Sequence, residues 1–156
     1  MSEKTLAMLV LEGQKVPYHA NHYPSSLRDA EEIAHEIGVE PGRVFKTLVV
    51  TRPAGKPFLV MLAADRQLDL KRMAKAVGEK KVKMASQREA EKITGLQVGG
   101  ISALALLNRG FAACLDSDAR KFKRIHISAG KRGVQLEVPV DDLIRITSSR
   151  LMSVSR

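Results

Sequence analysis

The chain has 156 residues, with 26 Lys and Arg against 17 Asp and Glu, a formal net charge of +9. At 44% apolar and 28% charged residues it has the composition of one globular domain. No apolar run approaches the roughly 20 residues that span a bilayer, so a helical membrane protein is excluded. The single Cys114 allows no disulfide framework, and the charged start MSEKTLAML lacks a signal-peptide core, so a cytoplasmic location is expected.

Residues 3–13 predict a first helix facing inward through Leu6, Leu9 and Val10 and stopped by Gly13. VPYHA at 16–20 reads as a short strand. Residues 27–37 predict an amphipathic helix capped by Ser26, with Ala30, Ile33, Ala34 and Ile37 on one face and Gly38 as its stop. RVFKTLVV at 43–50 and PFLVMLAA at 57–64 predict two strands joined by a turn carrying Pro53 and Gly55. Asp69 caps a helix with Leu70, Met73, Ala74 and Val77 inward and Gly78 after it. VKMA at 82–85 is a further strand. Ser86 and Glu89 form a capping box for a helix ended by Gly95. VGGIS at 98–102 predicts a glycine turn entering a helix over about 101–107. AACLD, RIHIS and VQLEV read as strands. A last helix starts at Pro139, Asp141 and Asp142 and buries Leu143, Ile144 and Ile146. Strands and helices do not alternate regularly, so the expected fold is a single α+β domain over 1–156, with a mixed, barrel-like sheet surrounded by helices.

The charge is concentrated. Residues 71–83 carry Lys71, Arg72, Lys75, Lys80, Lys81 and Lys83 against Glu79. Residues 120–132 carry Arg120, Lys121, Lys123, Arg124, Lys131 and Arg132 with no acid. Such clusters suit a polyanion, chiefly nucleic acid. With no Trp and few aromatics, contacts to phosphate fit better than a base-stacking platform.

Lys46 stands in mid-strand on the face of Val44, Leu48 and Val50. It is either an edge-strand charge that deters aggregation or an ammonium reaching into a pocket. Gly99 and Gly100 precede the predicted 101–107 helix, with Ser102 in its first turn; free amides there can bind an anion or an oxyanion, and a plain tight turn uses the same residues. SAGKRG at 128–133 is no nucleoside-triphosphate loop, because Ile125 and Arg132 stand where that motif needs a glycine and a hydroxyl. His19, His22, His35 and His126 lack partners at metal-ligand spacing, so no metal or other cofactor is expected. Cys114 reads as a small buried residue, and no GxSxG elbow is present.

The stretches VFKTLVV, QLDLKRMAKAVGEKKVKMA, TGLQVGGIS and ISAGKRGVQLEV together resemble the YbaK/EbsC proteins, relatives of the editing domain of bacterial prolyl-tRNA synthetases. The likeness runs from about residue 5 to 147. It implies the fold of that editing domain and hydrolysis of the ester that joins a wrong amino acid to tRNA, most often cysteine on tRNA(Pro). It further implies that the substrate's own thiol attacks and that the enzyme supplies no nucleophile, a lyase-type release of a thiolactone. By position, it assigns Lys46, Gly99 and Gly100 to catalysis, Tyr23, Ser102, Ser128, Gly130 and Gln135 to the substrate, and Lys131 and Arg132 to tRNA. The implied partners are the acceptor 3′ end of misacylated tRNA and prolyl-tRNA synthetase, with no membrane and no DNA. Ala103, Ala129 and Gln135 depart from the family pattern, where a proline, a glycine and an acid are common. These departures leave removal of alanine or another small residue open, as well as a non-catalytic tRNA- or synthetase-binding module.

Overall fold

The computed structural model describes residues 3–156. Two sheets face each other across the main core. One has three antiparallel strands in the order β1 (His19–His22), β7 (Val134–Pro139), β6 (Arg124–Ser128). The other has five, in the order β4 (Lys83–Met84), β2 (Phe45–Thr51), β3 (Phe58–Ala63), β5 (Ala112–Asp116), β8 (Arg150–Met152). β2 is antiparallel to β3 and β4, whereas β3–β5 and β5–β8 are parallel. The sheets touch through a bridge between Val44 and His126 and do not close into a barrel. The mixed α+β fold is as expected; the barrel-like outline resolves into two sheets.

Period-two alternation builds the layers. Phe45, Val49, Leu59, Met61 and Leu115 of the larger sheet meet Ile125, Ile127, Val134, Leu136 and Val138 of the smaller one. On its other face, Val50, Val60, Leu62 and Cys114 pack on Met73 and Ala74 of α3 (Leu70–Val77). A sheet covered on both faces needs continuous apolar strands, and every residue of β3 is buried.

Local signals place the helices. Asp69 caps α3 by accepting from the amides of Lys71 and Arg72. Ser86 and Glu89 close the expected capping box of α4 (Gln87–Thr94). α5 spans Val140–Thr147; it buries Val140, Leu143 and Thr147, while Ile144 and Ile146 are partly covered.

Four expectations are corrected. α2 is Ala30–Ile37 and its cap is Asp29, which accepts from the Glu32 amide, because Asp29 holds the extended φ/ψ a cap requires. In α1 (Leu6–Gly13) the inward face is Ala7, Met8 and Leu11; Leu6 and Leu9 are 57% and 51% exposed. β1 begins at His19 and not at Val16, because Val16 is drawn into the core behind Lys15, whose φ is 57°. Residues 101–107 form consecutive turns, not a helix, with the Ser102 hydroxyl accepting from the Ala105 amide. β8 and the turns of 3₁₀ helix at Pro41–Arg43 and Ser117–Lys121 carried no clear periodic signal.

Candidate active site

The smaller sheet has two unlike faces. Directly opposed residues share a face, so Asn21, Gln135 and Ser128 form one row, and His19, Glu137 and His126 form the next. Tyr23, whose amide donates to the Gly133 carbonyl, continues β1 on the same side. Apart from Pro139 at the end of β7 the side chains of this face are polar, yet Tyr23, His126, Ser128 and Gln135 are buried.

Five buried side-chain polar atoms find no partner among the described residues: Asn21 Oδ1, Tyr23 OH, Arg43 Nε, His126 Nδ1 and Gln135 Oε1. Four belong to this face, and Arg43 reaches it through Glu137 at 3.7 Å. Buried polar groups are normally satisfied, so a face that collects the exceptions is suited to receiving water or a polar ligand.

Asn21, Arg43 and His126 line a groove with His19 and Glu137, whereas a separate cleft of about 160 Å³ opens at Gln135 and Ser128. Its walls include Lys46, Thr47, Gly99, Ile101, Ser128 and Gln135, with Arg28 and Asp29 at the start of α2. The edge of β2 forms one side. β4 pairs only with Val50 and Thr51, and the Val49 carbonyl accepts from Ala85; two residues earlier, Thr47 presents its amide and carbonyl on the same edge with no strand to meet them.

Lys46 is half-buried. Its ammonium donates to the Ala64 carbonyl at 3.2 Å and the Arg66 carbonyl at 2.7 Å, just past the end of β3. A third N–H remains for the cleft. Burial pulls its pKa down, while Asp29, Glu31 and Asp65 oppose the shift. The lysine is thus held as a fixed donor, and the simple edge-charge explanation does not describe it.

The glycine turn is built by close approach. At Gly99 φ is +93°, and a Cβ would lie 2.7 Å from Arg28 Cβ. At Gly100 a Cβ would lie 2.8 Å from the Lys131 carbonyl carbon and 2.9 Å from the Arg132 amide nitrogen. The turn therefore fits between α2 and the 130–133 loop only without side chains. The Gly100 amide is spent on the Gln97 carbonyl and the Val98 amide on Glu91. The amides of Gly99 and Ile101 donate to no group among the described residues, and both residues line the cleft. The free amides of the turn are thus those of Gly99 and Ile101, and not that of Gly100, which lies between them.

The other expected residues divide. Ser128 lines the cleft; its oxygen accepts from the Gly130 amide and its O–H stays available. Ser102 is buried outside the cleft walls, where a Cβ added at Gly130 would lie 3.9 Å from its Cβ. Tyr23 lies on the polar face but outside the cleft walls. Arg132 donates to the Val98 carbonyl at 2.7 Å and stands 4.0 Å from Glu91, tying its loop to the glycine turn, whereas Lys131 is exposed. Cys114 is buried under α3, with its pKa pushed up to about 11 by burial, so its thiol is neutral. Among the described residues no three His, Cys, Asp or Glu side chains gather as metal ligands. Arg28, Asp29, Thr47, Ile101 and Asn21 escaped the sequence reading. The alternation of His19, Asn21 and Tyr23, with that of His126 and Ser128 and of Gln135 and Glu137, was the signal that could have marked the polar face.

A half-open strand edge, a fixed lysine and free turn amides thus surround a small cleft whose walls mix polar groups with Ile33, Phe45, Leu48 and Ile101. In comparison with known proteins, the aminoacyl-tRNA editing domain model matches residues 24–146, and the chain belongs to that family of tRNA-ester hydrolases. The chain is 35% identical over 155 residues to a candidate Cys-tRNA(Pro)/Cys-tRNA(Cys) deacylase, EbsC, of Enterococcus faecalis, covering 98% of this chain and 94% of that protein. It is 32% identical over 83 residues to the proline–tRNA ligase of Maridesulfovibrio salexigens, which is 53% of this chain and 14% of the ligase. The crystal structure of a candidate trans-editing enzyme for prolyl-tRNA synthetase has the same fold, with a TM-score of 0.83 at 23% identity over 99% of each chain.

Proposed function

We propose that the protein is a free-standing editing deacylase that clears cysteine from tRNA(Pro). The observation that carries this reading is the cleft itself, which holds donors for an ester carbonyl but no activated nucleophile. Among the described residues its wall side chains able to act as nucleophile or base are Ser128, Thr47, Lys46 and Asp29, and none is hydrogen-bonded to another as a nucleophile–base pair; the Asp29 carboxylate is engaged in capping α2 through the Glu32 amide. The base nearest Ser128 in sequence, His126, shares its strand face but lies outside the cleft walls. The attacking group then comes from the substrate. The cysteinyl sulfur forms a bond to its own carbonyl carbon while the bond to the tRNA ribose oxygen breaks. The thiol proton ends on that oxygen, releasing tRNA and a thiolactone that water opens later. Gly99 and Ile101 amides would hold the developing oxyanion, worth about 3 kcal/mol per donor in comparable sites. Lys46 would donate to the ester or the terminal ribose, and Gln135 and Ser128 would contact the aminoacyl group.

Deacylation of Cys-tRNA(Pro), Ala-tRNA(Pro) and Pro-tRNA(Pro) tests this. Release of cysteine alone is expected. Release of alanine at an equal rate would remove thiol attack, since alanine has no thiol, and no release from any of the three would remove the deacylase reading. No helix among the described residues is long and apolar enough to cross a membrane.

A further inference from the structure

We infer that the tRNA acceptor stem docks on the basic edge beyond β4, formed by Lys80, Lys81, Lys83 and Arg88, and not on the equally basic segment 120–124. The proposal rests on the deacylase reading for its substrate and adds the surface that holds it.

The two clusters look alike in sequence, but their charges are deployed differently. Lys80, Lys81, Lys83 and Arg88 are exposed and form no ion pair among the described residues. Each acid between 71 and 92 has a hydrogen-bond partner of its own. Glu79 holds Arg52 at 3.4 Å, Glu89 closes the capping box on the Ser86 amide, and Glu91 accepts from the Val98 amide. Glu89 stands beside Lys81 and Lys83 on this edge, but among the described residues no carboxylate is ion-paired with Lys80, Lys81, Lys83 or Arg88, so the edge keeps a net positive field. In the other segment Arg120 is paired with Asp141 and Lys121 lies 3.5 Å from Asp118. The groove over that segment is also lined by Asp142.

Position agrees with charge. Lys83 pairs with Thr51 on the outer edge of β2, the edge that opens into the cleft at Thr47. Four strand residues separate them, about 13 Å. A strand whose 3′ end lies in the cleft can therefore run along the same edge onto these lysines. Arg28 stands exposed at the cleft mouth. No aromatic residue lies among residues 78–92, so the edge offers phosphate contacts without base stacking. It would hold tRNA(Pro) and tRNA(Cys) alike and leave discrimination to the cleft or a partner.

The test is binding of uncharged tRNA by the full chain between 50 and 200 mM salt. In the triple variant Lys80→Gln, Lys81→Gln, Lys83→Gln, affinity at low salt is expected to fall at least about tenfold. The slope of log affinity against log salt should shrink by about 2 to 3, one phosphate contact per lysine. The variant Lys121→Gln, Lys123→Gln, Arg124→Gln should stay within about threefold of the native protein. Thermal midpoints certify that both variants are folded; should a triple variant melt early, single substitutions carry the comparison. Equal losses in the two variants, or a larger loss in the second, would overturn the docking surface. A native protein that binds tRNA but releases no amino acid would overturn the deacylase reading instead, and the binding comparison would still decide the surface.

Discussion

The two faces of the three-stranded sheet are made from alternate residues of the same strands, and they do opposite work. Leu136 and Ile127 point into the main core, fully covered by apolar neighbours. Their chain neighbours Gln135 and Ser128 point into the cleft, equally buried but incompletely hydrogen-bonded. Burial on one face stabilises the fold; burial on the other prepares a site, because an unpaired polar atom away from water costs free energy until a ligand meets it. Position along a strand thus separates residues whose loss unfolds the protein from residues whose loss silences it.

The largest effect should come from the apolar face. Leu136→Ala is expected to cost about 3 kcal/mol of stability, read from urea unfolding, with the folded fraction still active. A near-neutral result would mean the core collapses around the gap. On the cleft side, Lys46→Ala should lower deacylation about 100-fold, while costing only about 1 kcal/mol of stability for the two carbonyls it leaves. Full activity would reduce Lys46 to a structural tie. Gly100→Ala presses a methyl group into the backbone of Lys131 and Arg132, so about 1–3 kcal/mol should be lost. Turnover should fall as the Gly99 and Ile101 amides shift; a normal rate in a normally stable variant would show that the two loops separate freely.

Gln135→Leu sharpens the contrast further. It removes an unpartnered buried acceptor, so stability should hold or rise by up to about 1 kcal/mol, while selectivity among aminoacyl groups changes. A stability loss like that at Leu136 would break the distinction between the faces.

The smallest effect concerns pH. Burial lowers the His126 pKa, with Glu137 opposing and Arg43 and His19 reinforcing the shift. The unfolded chain then binds more protons than the folded one as pH falls through about 6.5, so stability drops toward acid. In His126→Gln the urea midpoint should fall less between pH 7.5 and 5.5 than in the native protein. An unchanged difference would show that His126 remains solvated.

Much of this was legible beforehand. The apolar runs at 45–51 and 58–63, the capping box at Ser86 and Glu89, and the stops at Gly38, Gly78 and Gly95 are local signals that became local structure. The resemblance carried by VFKTLVV, VGGIS and ISAGKRG located Lys46, Gly99, Ser128 and Gln135, and all four line one cleft. The turns at 101–107 misled because Ala103, Leu104 and Leu106 are buried in the core, so apolar spacing there reported packing and not a helix.

What the sequence determined by itself is what neighbours along the chain decide: caps, stops, strand alternation, the family and the motifs that carry it. Only the tertiary structure decided which glycine-turn amides are free, that Arg132 ties two loops, and that Arg120 and Lys121 are ion-paired while Lys80, Lys81 and Lys83 are not. Those facts depend on Gln97, Val98, Asp118 and Asp141 meeting their partners across the fold, and a hydrogen bond or ion pair between distant segments leaves no periodic trace in a sequence.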